Sequence, residues 1–200
     1  MKNLLFTLCL LPAVLFSQLR DSVKIKGPIF EGIYSETLEQ PLYVSYFVKC
    51  TEVTESRKGM DFFKNDSVKT SDAKDYVKNV WDKGHMAPAA DFACDYSDLK
   101  ATFSYLNCAL QHKKLNRGPW RILEDHERDL LVKHGGKIWV EIKVVYDKTC
   151  QVLPTGATVP KGFYKYIWQM EPKQMVLESY YFPNDVPAEG TTYRDYKLNK

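Results

Sequence analysis

One histidine in this chain is delivered in a setting that few backbones provide. Asp82-Lys83-Gly84-His85-Met86-Ala87-Pro88-Ala89 is a short charged turn containing glycine; it presents His85 and then gives way at once to small residues and a proline. Asn107, Asn116 and Glu124 follow at fixed offsets, and Arg57 stands upstream. A fold that uses these residues together must bring a strand-like and a helix-like segment to one point. A histidine can deprotonate water, an Asn/Glu set can hold a hard divalent cation, and an arginine can meet a phosphate. Together these are the parts of a metal-dependent phosphodiester hydrolase.

The start of the chain reads differently from the rest. Lys2, the apolar run Leu4 to Phe16 and the closing Ser17-Gln18 have the pattern of a secretory signal peptide, with cleavage expected after Ser17. The run is shorter than the about 20 apolar residues a bilayer crossing needs, so no membrane span is expected in the mature chain. The expected organisation is a leader over 1–17 and a single domain over 18–200, secreted or periplasmic. Removing the leader takes away Lys2 and no acid, which lowers the formal net charge from +3 to +2. So weak a positive charge excludes an overtly basic nucleic-acid binder and puts weight on local clusters. His112-Lys113-Lys114, Arg117 and Arg121 form such a cluster beside the motif, and clustered cations track phosphates.

Four cysteines outlast processing: Cys50, Cys94, Cys108 and Cys150. An even number in an exported chain points to disulfides, and no Cys-x-x-Cys pair supports zinc. Three connectivities are open. Cys94–Cys108 is expected first, because it would close a loop of about 15 residues between the histidine turn and Asn107. Cys50–Cys150 is then the residual pair.

Periodicity predicts an α+β fold, a central, largely antiparallel sheet with helices packed against it. Leu42 to Val48 is strongly strand-like, after a polar lead-in over Gly32 to Gln40. Residues 55–79 are charged and turn-rich and read as surface loops. Leu99, Phe103 and Leu106 have helical spacing. A helix is expected from Pro119 to about His134, stopping at Gly135-Gly136. On it Trp120, Leu123, Leu130 and Leu131 fall in one arc, while Arg117, Arg121, Glu124 and Arg128 fall along its edge. Lys137 to Tyr146 alternates as a strand does, and Phe163 to Gln169 and Met175 to Phe182 read as further strands.

Four ordered segments carry a resemblance. Asp82-Lys83-Gly84-His85, then Asn107-Cys108-Ala109-Leu110-Gln111, then Leu115-Asn116-Arg117-Gly118-Pro119-Trp120, then Leu123-Glu124-Asp125-His126-Glu127-Arg128 are similar in order and spacing to the DNA/RNA non-specific endonuclease family. This is the ββα-metal group that includes secreted bacterial sugar-non-specific nucleases and mitochondrial endonuclease G. The likeness runs from about Leu42 to Asn184. Lys83 stands where the family has arginine, and Leu110 where it has proline. The first change keeps the charge but loses a planar fork, which bears on rate and substrate preference.

The resemblance implies a ββα-metal finger and assigns roles. His85 is the general base, with Asn107 orienting it; an imidazole with a pKa of about 6.5 suits neutral pH. Asn116 is the direct ligand to Mg²⁺, with Mn²⁺ as a substitute, and Glu124 acts on the metal through a water. A hard cation that keeps several waters fits so sparse a donor set. Arg57 and Arg128 stabilise charge on the phosphate, while Lys83, Lys113, Lys114, Arg117 and Arg121 contact nucleic acid. DNA and RNA are the expected substrates. Two rivals are a catalytically weak nucleic-acid-binding protein on the same fold and a phosphodiesterase for smaller substrates. Monomer and homodimer both stay open.

Overall fold

The structure, a computed structural model, describes residues 21–199, so the expected leader lies outside the described residues. Six strands form one antiparallel sheet in the order β1-β2-β3-β6-β7-β8: β1 Ser22–Lys26, β2 Phe30–Ser35, β3 Gln40–Phe47, β6 Ile138–Val145, β7 Gly162–Gln169 and β8 Met175–Pro183. The four expected strands are present close to their expected bounds. The polar lead-in is corrected: Gly32 lies within β2, which pairs with β1 as a hairpin and with β3 on its other side. Its polarity hid the strand. Gly32 is needed there because a Cβ would come within 2.5 Å of the Tyr43 carbonyl oxygen.

A second sheet has two antiparallel strands, β4 Trp81–His85 and β5 Cys108–His112. Between them run the helix α1 Tyr96–Thr102, capped by the Asp95 side chain, and the short 3₁₀ turns Ala89–Phe92 and Tyr105–Asn107. After β5 a helical turn, Lys113–Leu115, leads through a widened stretch, Asn116–Trp120, into the long helix α2 Arg121–His134. Gly118 leaves helical geometry there and Pro119 follows it, which accounts for the kink.

The core lies between the long helix and one face of the large sheet. Trp120, fully buried, meets Phe163 and Phe182 edge-on at 5.4 and 5.3 Å, and Leu123 and Leu130 continue the same stripe. Burying such side chains contributes about 1.5–3 kcal/mol each, which fixes the helix on the sheet. Glu127 falls on the buried side too. It accepts hydrogen bonds from Lys165 Nζ (2.5 Å) and Tyr46 Oη (2.7 Å), and all three side chains are buried. Alternation along β7 puts Lys165 inward between Phe163 and Ile167, so the helix supplies the matching carboxylate.

The disulfide expectation is overturned on both pairs. Cys50 bonds to Cys94, and Cys108 and Cys150 are free thiols. The Cys50 amide donates to the Asp91 carbonyl, which brings the end of β3 beside the segment that carries Cys94. Cys108 is held in β5 opposite His85, its sulfur 3.5 Å from Tyr76 Oη, and burial pushes its thiol up to about 12.

Candidate active site

The histidine lies at the end of a strand. Across the β4–β5 pair Asp82 faces Gln111, Gly84 faces Ala109 and His85 faces Cys108, so two motif segments distant in sequence are in register. Gly84 cannot carry a side chain here: a Cβ would come within 2.3 Å of Gln111 Oε1 and 2.6 Å of its Cβ. The helical stretch from Lys113 to His134 follows directly, which completes a ββα unit.

Asn107 is fully buried and spends its side chain on backbone. Its Nδ2 donates to the carbonyls of Ala87 and Thr102 at 2.8 and 2.9 Å, and its Oδ1 accepts from the Ala87 amide at 2.8 Å. Its own carbonyl accepts from the Met86 amide. Asn107 therefore fixes the two residues after His85; its side-chain bonds go to backbone and none goes to the ring. Phe62 and Phe103 pack on the imidazole with centroids at 4.8 and 5.0 Å. Nε2 is shielded from solvent and has no partner among the described residues. Burial, reinforced by the nearby Arg57 charge, depresses His85 to about 3, so the ring is neutral and holds a free lone pair.

The kink delivers Asn116 to the same place. Its Nδ2 donates to Asp82 Oδ2 at 3.0 Å, and that carboxylate also accepts two bonds at 2.7 Å from Arg117. Holding the amide nitrogen this way leaves the Asn116 carbonyl oxygen for another partner. Asp82 thereby links the strand to the kink. About two turns on, burial pushes Glu124 up to about 7; Lys165 opposes the rise and Glu127 adds to it. Arg128, four residues further along the helix, is not paired with Glu124 among the described residues. Arg128 donates to buried Asp91 at 2.7 Å and to Asp125, so its guanidinium is anchored between two carboxylates.

His85, Arg57, Asn116, Glu124, Arg117, Arg121 and Arg128 line one cleft of about 750 Å³. Lys113 and Lys114 are exposed and lie outside its lining. Lys83 points along the other side of His85, its Nζ 3.2 Å from Asp61 and over the Phe62 ring at 5.2 Å. Phe62, Phe103 and Asp91 had no sequence indication of a role, because each reaches the site from a segment with no motif. No group of three or more His, Cys, Asp or Glu among the described residues could hold a metal alone. An oriented neutral carbonyl and a carboxylate in one cleft fit a hard cation that keeps much of its own water.

Comparison with known proteins gives a consistent answer. The sequence profile of the family described as DNA/RNA non-specific endonuclease matches residues 17–200. A mitochondrial nuclease EXOG of Danio rerio is 32% identical over 112 residues, covering 54% of this chain and 32% of that protein. A nuclease of Nostoc is 29% identical over 133 residues (62% and 47%), and mitochondrial endonuclease G of Bos taurus is 27% identical over 150 residues (64% and 48%). The matched stretches thus span about a third to a half of those relatives. The solved structure of an EndoG/EndoGI complex superposes with a TM-score of 0.74 at 24% identity, over 88% of this chain and 80% of that one, and shows the shared fold.

Proposed function

This chain belongs to the DNA/RNA non-specific endonuclease family, and from that premise we propose that it hydrolyses phosphodiester bonds of DNA and RNA without sequence specificity and with a divalent cation. The observation that carries the reading is that a neutral His85, packed between Phe62 and Phe103, lines the same cleft as Asn116 and Glu124. His85 takes the proton of the attacking water on its neutral ring, and Asn107 holds the backbone that aims it. General base catalysis of this kind supplies roughly 10²–10⁴ in rate. Arg57 and Arg128 line the cleft and would face the negative charge that grows on the phosphate, and Arg128, held by Asp91 and Asp125, needs little rearrangement. Mg²⁺, or Mn²⁺ in its place, would be held by Asn116 with Glu124 and would supply positive charge to the phosphate oxygens.

Four arginines around one cleft suit a polyanion better than a small phosphodiester, and His85, Asn116 and Glu124 in that cleft are more than a binding-only role needs. We also propose that the protein acts outside the cytoplasm after loss of residues 1–17. The family match begins at residue 17, and a Cys50–Cys94 bridge belongs in an oxidising compartment. Among the described residues no helix is long and apolar enough to cross a membrane. The test is incubation of the purified chain with plasmid DNA and with total RNA, in Mg²⁺ and in EDTA. Loss of both substrates in Mg²⁺ alone is expected; intact polymers in Mg²⁺ would sink the reading.

A further inference from the structure

Two clefts meet at His85, Arg57 and Asn116, and their walls differ in chemistry. The larger carries Arg117, Arg121 and Arg128, groups that address phosphate. The second, about 480 Å³, is walled by Trp81, Tyr76 and Phe62 and contains Lys83. Trp81, Lys83 and His85 alternate along β4 and so share one face, with an aromatic ring, a cation and the candidate base in a row. Trp81 is half-buried, its ring meeting His112 edge-on at 5.8 Å. The Lys83–Asp61 pair is exposed on the Asp61 side, at 86%, and so holds Lys83 only weakly. The aromatic walls of this cleft, with the Lys83 charge offset by Asp61 and Arg57 facing Asp82 across the lining, suit a flat, uncharged ring better than a second phosphate.

We propose that this second cleft is a nucleobase subsite: it takes the base beside the scissile phosphate, stacked against Trp81, and thereby selects unpaired strands. The inference rests on the nuclease reading for its orientation, since the scissile phosphate lies where the two clefts join. A base within a duplex has both faces covered by its neighbours and must be unstacked before an aromatic wall can reach it. An unpaired base has a face to offer. Stacking on an aromatic side chain tolerates any base, so the subsite adds strand selectivity without adding sequence specificity. Lys83 in the same row donates to a carbonyl of the stacked base.

The test separates binding from chemistry. In EDTA, where no cleavage is expected, a fluorescent 12-nucleotide single strand and the same backbone carrying abasic sites are titrated by anisotropy with the full chain. The intact strand should bind about fivefold to a hundredfold more tightly. Trp81→Ala should abolish that difference, and Trp81→Phe should restore most of it. The salt dependence of binding should be the same in all three proteins, because the phosphate contacts are untouched. In Mg²⁺ the ratio of single-strand to duplex cleavage should fall in Trp81→Ala by the same factor. Equal binding of intact and abasic strands by the parent, or undiminished discrimination in Trp81→Ala, overturns the subsite. Should Trp81→Ala fail to fold, the parent's abasic comparison and Trp81→Phe decide the matter. If the parent discriminates bases but cuts neither nucleic acid, the nuclease reading fails and the subsite stands. If it cuts both without discriminating, the subsite fails and the nuclease reading stands.

Discussion

At the scale of single residues the site is made by what each polar atom is denied or given. His85 is kept neutral by burial, and its shielded Nε2 is left without a partner among the described residues. His85→Ala should lower nuclease activity by roughly 10²–10⁴ while the melting temperature moves only a few degrees, since packing against Phe62 and Phe103 is lost together with an unpaired polar atom. Near-normal turnover in that variant would falsify the assigned base. The same residue sets a pH dependence of stability. The folded ring protonates at about 3, the unfolded one at about 6.5, so between these values the unfolded chain binds more protons. Stability should therefore fall as pH drops from 6.5 towards 3, at no more than about 1.4 kcal/mol per pH unit. Urea midpoints of the parent and His85→Gln across that window check it; parallel curves would refute the shift. For the metal, Asn116→Ala should raise the Mg²⁺ needed for half-maximal rate more than Glu124→Gln does. A direct ligand is lost in the first and an indirect one in the second. Because Glu124 titrates near about 7, that Mg²⁺ requirement should also rise as pH falls through 7 in the parent. Glu124→Gln should not show this rise, and identical metal titrations for all three proteins would move the ligand elsewhere.

Elements carry the site by crossing one another at fixed points. The end of β3 is tied to the segment after His85 by the Cys50–Cys94 bridge and by amides of Cys50, Thr54 and Glu55 donating to carbonyls of Asp91 and Ala93. That junction also aims the loop holding Arg57. Replacing both cysteines by serine should cost on the order of 4 kcal/mol by loop entropy, since the bridge spans a separation of 44 residues. Non-reduced peptide mapping should show this one bridge and free thiols at Cys108 and Cys150. Any other pairing, or an unchanged urea midpoint in the double variant, would contradict the junction. The long helix is joined to β7 by the buried Lys165–Glu127 pair. Lys165→Met alone should cost about 3–5 kcal/mol because it strands a buried carboxylate. Adding Glu127→Leu should recover much of that, short of the full amount, because Tyr46 Oη then loses its acceptor. A double variant no more stable than the single would show the pair is not the source of the loss.

For the whole molecule, a formal charge of only +3 means that binding depends on where the cations stand. The arginines of the larger cleft address phosphate, which carries no sequence information, and His85 needs no 2′-hydroxyl to activate water. Plasmid DNA and total RNA should both degrade to short fragments without discrete bands, and cutting should slow steeply as salt rises. Gel time courses over a salt series test this. Cleavage of RNA alone, blocked by one deoxy sugar at the scission site, would mean a different nucleophile and another role for His85.

What was legible in the sequence is what neighbouring residues encode among themselves. The alternation of β3, β6, β7 and β8, the apolar arc Trp120–Leu123–Leu130 and the order of the motif segments were all readable, because strand and helix periods are local properties. The hairpin of β1 and β2 was hidden by polar residues that need only one buried face. Pairings at long range were decided by tertiary structure alone. Cys50 chose Cys94 over Cys150, Arg128 chose Asp91 over Glu124, and Asn116 was oriented by Asp82. Each choice depends on which chain segments cross, and crossings are set by how the helix and the two sheets bury their apolar faces together. The chemistry of His85 belongs to the same class: its residue type was written in the chain, but its neutrality comes from rings and burial that only the fold brings to it.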